Sequence, residues 1–163
     1  MNEITDEAHM SLQQTILDDL TRAMKSRDEA LTRVLRSIKA SLLEKEISKR
    51  TGGKAGVLSD EQTIEVLVKA AKQRRDSLTQ FRNAGRDDLA DIEEAELTII
   101  ERYLPKPLTE QEIRQLVREA ADKTGASSPQ DMGRVMGVLM PRVKGKADGA
   151  LVNKIVRETL GAS

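Results

Sequence analysis

The apolar positions of this chain recur at three- and four-residue spacing almost from end to end, the pattern of helices that each bury one face. Leu12, Ile16, Leu20, Ala23 and Met24 mark a first helix from Leu12 to about Lys25. Ser11 stands before it with Gln14 three residues on, which predicts a capping box. A second helix starts near Asp28 and carries Leu31, Val34, Leu35, Ile38, Leu42 and Ile47. The stretch 51–56, Thr-Gly-Gly-Lys-Ala-Gly, breaks any helix and predicts a mobile loop. Ser59 with Gln62 forms a second capping box and opens a third helix, with Ile64, Leu67, Val68, Ala71, Leu78 and Phe81 inward. Gly85 stands where a helix would end. A fourth helix from about Asp87 turns Leu89, Ile92, Leu97, Ile100, Tyr103 and Leu104 inward. Four amphipathic helices joined by short turns predict a bundle over residues 11–104.

The periodicity stops at Leu104-Pro105-Lys106-Pro107-Leu108. Two prolines around one residue forbid helix and favour an extended link, so 105–108 reads as a linker between domains. Thr109 with Glu112 caps a fifth helix bearing Ile113, Leu116, Val117, Ala120 and Ala121, which Gly125 ends. Ser128-Pro129 starts a sixth with proline at its first position. Met132, Val135, Met136 and Leu139 form its stripe, and Pro141 is expected to end or kink it. After a glycine turn at 145–149, Asp148 caps a seventh helix that buries Leu151, Val152, Ile155, Val156 and Leu160. The fold class is therefore all-α: a four-helix bundle followed by a small three-helix tail domain at 109–163. Residues 1–10 stand apart as a disordered extension or tag remnant, because 1–9 are polar, acidic and without period.

Composition supports the helical reading. One Phe, one Tyr and no Trp leave few strand formers, while Ala, Leu, Glu, Lys, Arg and Gln dominate. The chain has no cysteine, and its one histidine, His9, lies in the aperiodic extension. A Ser-His-acid triad, a His-ligated metal and a Cys nucleophile are thereby excluded. Asp87, Asp88, Asp91, Glu93, Glu94 and Glu96 form an acidic run that two chemistries would use, acid–base work or magnesium binding. Its simpler explanation is a helix start whose acids complement the macrodipole beside Arg82 and Arg86. Residues 51–56 lack the spacing and the preceding strand of a phosphate-binding loop. No catalytic residue, metal or cofactor is assigned. No apolar run is long enough to span a bilayer and no leader pattern opens the chain, so a cytoplasmic location without membrane contact is expected.

Positive charge is local rather than global, since 27 Lys and Arg balance 27 Asp and Glu. Lys69, Lys72, Arg74, Arg75, Arg82 and Arg86 form one basic run on the third helix, and the acidic fourth helix is placed to answer it. A second run, Arg134, Arg142, Lys144, Lys146, Lys154 and Arg157, has only Asp131 and Asp148 among it and centres on the glycine turn. Backbone amides in that turn and at the start of the seventh helix would add to an anion site. RNA or another polyanion is one reading of this patch, and a solvated surface is the other. Met132, Met136 and Met140 admit two readings as well, core packing or an adaptable partner groove.

Three separated segments resemble the YqeY family, in order and over essentially all of residues 10–163. They are Lys72-Gln73-Arg74-Arg75-Asp76-Ser77 with Phe81-Arg82-Asn83-Ala84-Gly85-Arg86, then Glu94-Ala95-Glu96-Leu97 with Tyr103-Leu104-Pro105. The third is Asp131-Met132-Gly133-Arg134-Val135-Met136 with Gly145-Lys146-Ala147-Asp148-Gly149 and Val152-Asn153. The resemblance implies a helical domain plus a tail similar to the C-terminal part of the B subunit (GatB) of the tRNA-dependent glutamyl/aspartyl amidotransferase. In that enzyme the tail engages the tRNA body, and the catalytic region, with its ATP cradle and ammonia entry, has no counterpart in this sequence. A tRNA-directed role is implied for Arg134, Lys144, Lys146 and Asn153, and local charge adds Arg142 and Lys154. Gly133, Gly145 and Gly149 are assigned to close packing and turns. The leading expectation is a non-catalytic accessory module that binds tRNA or other structured RNA. The alternative is an adaptor for a protein of the translation machinery, docked on an apolar groove of the tail. A third reading, a glutamine-using carbon–nitrogen ligase, requires partner subunits.

Overall fold

A computed structural model describes residues 10–50 and 56–161. The extension at 1–9 and nearly all of the glycine-rich stretch, 51–55, lie outside the described residues. Helices α1 (Leu12–Ser26), α2 (Glu29–Ser48), α3 (Asp60–Asn83) and α4 (Asp87–Glu101) make a bundle, and α5 (Glu110–Thr124), α6 (Met132–Val143) and α7 (Gly149–Thr159) make a three-helix tail. There is no strand among the described residues. The chain divides into two compact units, Met1–Leu104 and Pro105–Ser163.

Each unit has its own core. In the first, Ile16, Leu35, Ile38, Leu67 and Ile100 are almost completely buried together. Several expected positions are less buried. Ile47, Val68 and Ile92 are 49%, 37% and 48% exposed, because each lies at the margin of its helix's apolar face. Leu58, ahead of α3, is buried instead, and Thr63 enters the core with its hydroxyl donating to the Ser59 carbonyl at 3.0 Å.

Local chemistry sets the helix ends. The Ser59–Gln62 and Thr109–Glu112 boxes are reciprocal. At α1 only half a box forms: Gln14 N–H donates to Ser11 Oγ at 3.1 Å, while the Gln14 side chain turns to Asp18. Gly85 and Gly125 adopt left-handed φ of 70° and 68° at helix ends, which favours glycine. Arg27 takes the same conformation, φ 59°, after α1. Pro129 opens a single 3-10 turn ending at Asp131 before α6 begins, rather than opening α6 itself. Pro141 does not end α6. It sits in the last turn, so its missing N–H removes only one intrahelical bond, and the helix runs on to Val143.

The charge pattern of α3 and α4 is structural. Helix α4 has carboxylates at Asp87, Asp88, Asp91, Glu93, Glu94, Glu96 and Glu101 and no basic residue. Arg82 reaches Asp87, Asp91 and Glu94 at 3.3, 3.0 and 3.1 Å, and Arg86 reaches Asp88 at 3.1 Å. Arg74 pairs with Glu96 at 2.8 Å and Arg75 with Glu101 at 3.4 Å. Hydrogen bonds from Arg86 hold the Asp88 carboxyl below the ordinary aspartate range. The acids once open to a magnesium reading are thus matched to arginines within the same unit.

Candidate nucleic-acid interface

Helix α5 is the strut of the tail, and α6 and α7 pack against it around Ile113, Val117, Val135, Leu139, Val152 and Ile155. Polar contacts at the margins of this core also join α6 and α7 to α5. Arg142 Nη1 donates to Glu119 Oε2 at 2.8 Å, and Arg134 Nη1 to the Thr124 carbonyl at 3.4 Å. On α7, Glu158 accepts from Arg114 Nη1 at 3.0 Å.

These contacts separate the candidate residues into two groups. Arg134 is bonded to Asp131, whose carboxylate also accepts from the Ser127 and Ser128 amides at 3.0 and 3.2 Å. The Ser127 amide first, then Arg134, lower the Asp131 pKa to about 2. Arg134 and Arg142 therefore brace α6, and their charges are already answered. Asn153 and Lys154 line one shallow depression on α7 together with Ala150, Arg157 and Glu158. Among the described residues neither Asn153, Lys154 nor Arg157 has a side-chain hydrogen bond or ion pair within the protein. The helix spacing that groups Arg157 with Asn153 and Lys154 was readable from the sequence, although Arg157 stood there only as part of a charge run.

Lys144 caps the end of α6 and Lys146 lies in the following turn, exposed. Several amides around the turn are engaged within the protein. The Lys144 amide donates to the Met140 carbonyl at 3.0 Å, and the Lys146 and Ala147 amides donate to Val143 at 2.9 and 3.1 Å. The amide of Ala150, at the start of α7, is taken by the Asp148 carboxylate at 3.1 Å. Asp148 thus takes one amide at the start of α7 and sets a carboxylate beside that helix end.

The glycines also divide. Gly145 takes φ 77°, which its turn requires. A Cβ on Gly133, Gly137 or Gly149 would meet nothing within 4 Å, so close packing does not explain them. Met132 and Met136 pack on the core, whereas Met140 is 37% exposed. Gly137→Ala is expected to stabilise the tail by up to about 1 kcal/mol, because alanine is the better helix former and the site is open. Calorimetry should show a higher midpoint. A lower midpoint would mean that the backbone there is held by contacts a methyl group disrupts.

A four-helix bundle with a three-helix tail, bearing cations on the last helix without partners among the described residues, describes a class of two-unit helical protein. The family model described as "Yqey-like protein" matches residues 13–160, and the chain belongs to that family. Among curated relatives, "Altered inheritance of mitochondria protein 41, mitochondrial" of Pyrenophora tritici-repentis is 30% identical over 147 residues, covering 88% of this chain and 78% of that protein. The protein of the same name from Saccharomyces cerevisiae is 28% identical over 150 residues, covering 86% and 78%. Its counterpart in Clavispora lusitaniae is 33% identical over 97 residues, covering 60% and 54%. These mitochondrial relatives overturn the cytoplasmic location expected from the sequence. The absence of a readable leader was too weak a basis for choosing a compartment.

Proposed function

We propose that this YqeY-family chain is a non-catalytic accessory module that binds structured RNA, tRNA in particular, through the outer face of α7. The observation that carries the reading is the contrast within the tail. Arg114, Arg134 and Arg142 are spent on carboxylates of the unit itself, while Asn153, Lys154 and Arg157 share a depression without protein partners. Cations held on one rigid helical face suit phosphates spaced along a duplex backbone, and each phosphate contact releases counterions. With one Phe and one Tyr in the chain, base stacking has little to work with. Recognition then rests on phosphates and helical shape. Carbon–nitrogen ligase chemistry enters only if partner subunits supply it.

The test is tRNA affinity across a salt series for wild type, Arg142→Ala, Lys146→Ala and the double variant Lys154→Ala/Arg157→Ala. The double variant should bind more weakly and lose about two units of salt slope, one for each phosphate contact. Lys146→Ala should lose about one unit. Arg142→Ala should lose less than either, because its charge is committed to Glu119. If the double variant is folded and binds as wild type at every salt concentration, the RNA reading fails. The adaptor reading then leads, favoured by the open face of Gly133 and Gly137 beside exposed Met140.

A further inference from the structure

Unit one holds a second basic feature, away from the arginine–carboxylate pairs of α3 and α4. A depression of about 510 Å³ lies where the end of α1, the start of α2 and the segment following α4 meet. Its apolar part is Ala23 and Leu31, and Arg22 and Arg102 are its two guanidinium-bearing residues. Tyr103 and Asp19 also line it, joined by a 2.6 Å hydrogen bond from the phenol to the carboxylate. Arg22 reaches the same carboxylate at 2.5 Å. Asp19 is thereby neutralised in place, and Arg102 has no hydrogen bond or ion pair to a carboxylate among the described residues. One uncompensated positive charge remains beside an apolar floor.

Arg27, next to lining residue Ser26, holds the left-handed conformation that glycine fills most readily after a helix. That conformation closes α1, with the Arg27 and Asp28 amides donating to the Met24 and Ala23 carbonyls at 3.3 and 3.0 Å. The guanidinium group is the side chain best matched to phosphate, which it grips through paired N–H groups.

We propose that this depression is a binding site for a phosphate group carried on a short apolar stem, with Arg102 as its principal anchor and Arg22 beside it. The stem lies against Leu31, and the phosphate replaces solvent around the Arg102 guanidinium. The site is independent of the α7 face and of the RNA reading.

Tyr103 makes occupancy directly measurable, since it is the only tyrosine in a chain without tryptophan. Its phenol is pushed up from the ordinary range by burial and by Asp19, and its emission reports on that environment. Butyl phosphate and inorganic phosphate are titrated into the full chain at constant ionic strength, with butanol and chloride as controls. Tyr103 emission and heats of binding are both followed. Butyl phosphate should give a saturable change and bind more tightly than inorganic phosphate. Arg102→Ala should weaken butyl phosphate binding about tenfold, the loss of one charge-assisted contact. Lys154→Ala/Arg157→Ala should leave it unchanged while reducing tRNA binding. Absence of saturable binding overturns the proposal, as does equal binding by wild type and Arg102→Ala in calorimetry. Loss of butyl phosphate binding in the α7 variant would place the anion on the tail and would equally refute it.

Discussion

Arg74→Ala is expected to destabilise the bundle by about 3 kcal/mol, the cost of leaving partly desolvated carboxylates without their cation. Arg74 is 17% exposed and Glu96 15%, so this pair is withdrawn from water in a way that the other α3–α4 pairs are not. Its Nε donates to Glu96 at 2.8 Å and lies 3.8 Å from Glu93, and its Nη2 reaches Ser37 at 3.4 Å. Glu93 Oε2 is buried with no hydrogen-bond partner, and Arg74 is the cation 3.8 Å from this partly desolvated carboxylate. Arg33 touches Glu96 as well, but at 3.4 Å from an exposed position, and would relieve only part of the loss. Arg82→Ala breaks three ion pairs and should nonetheless shift stability far less, because all four side chains are open to water and salt. Arg74→Lys should recover only part of the loss, since one ammonium cannot serve Glu93, Glu96 and Ser37 together. Urea unfolding followed by circular dichroism ranks the three variants. Equal small shifts for Arg74→Ala and Arg82→Ala would show that solvent reaches Glu93 and Glu96 after all.

That contrast also marks what the sequence could and could not disclose. Helix number, order and most caps were legible, because apolar spacing and residues such as Ser59, Asp28 and Thr109 act through neighbours three or four positions away. The answering of α3 by α4 was legible as charge composition. Which arginine is buried depends on how α2 packs beside them, and no local pattern carries that. Ile47, Val68 and Ile92 look like core residues by type and spacing, yet each sits a fraction of a turn outside its buried face. The tail shows the same boundary. A charge run grouped Arg134, Arg142, Lys144, Lys146, Lys154 and Arg157, but long-range partners decide which charges remain available. Glu119 on α5, distant in sequence, takes Arg142, whereas Arg157 joins Asn153 and Lys154 on one face of α7. In the glycine turn the Lys144, Lys146 and Ala147 amides bond to Met140 and Val143, a pairing that residue type alone does not disclose.

Ile155→Ala should unfold the tail while leaving the bundle intact. Ile155 is fully buried at the centre of a core made only from α5, α6, α7 and their flanking segments. Truncating a buried isoleucine costs about 2–5 kcal/mol, through lost transfer energy and the cavity left behind. A unit as small as Pro105–Ser163 has about 3–8 kcal/mol of stability in total, so the loss takes most or all of it. The bundle's core contains no residue from beyond Leu104, and none of its helices depends on Ile155 for burial. Two observables separate the units without cutting the chain. Tyr103 lies in the bundle, so its emission follows that unit, whereas far-ultraviolet dichroism follows all seven helices. In the variant, dichroism should fall by the share belonging to α5, α6 and α7 at temperatures where Tyr103 emission is unchanged. Limited proteolysis should then cut after residue 104 and spare the bundle. A single transition seen alike by both probes, shifted as one by the substitution, would mean that the bundle and tail unfold together and that the boundary at Pro105 has no energetic counterpart.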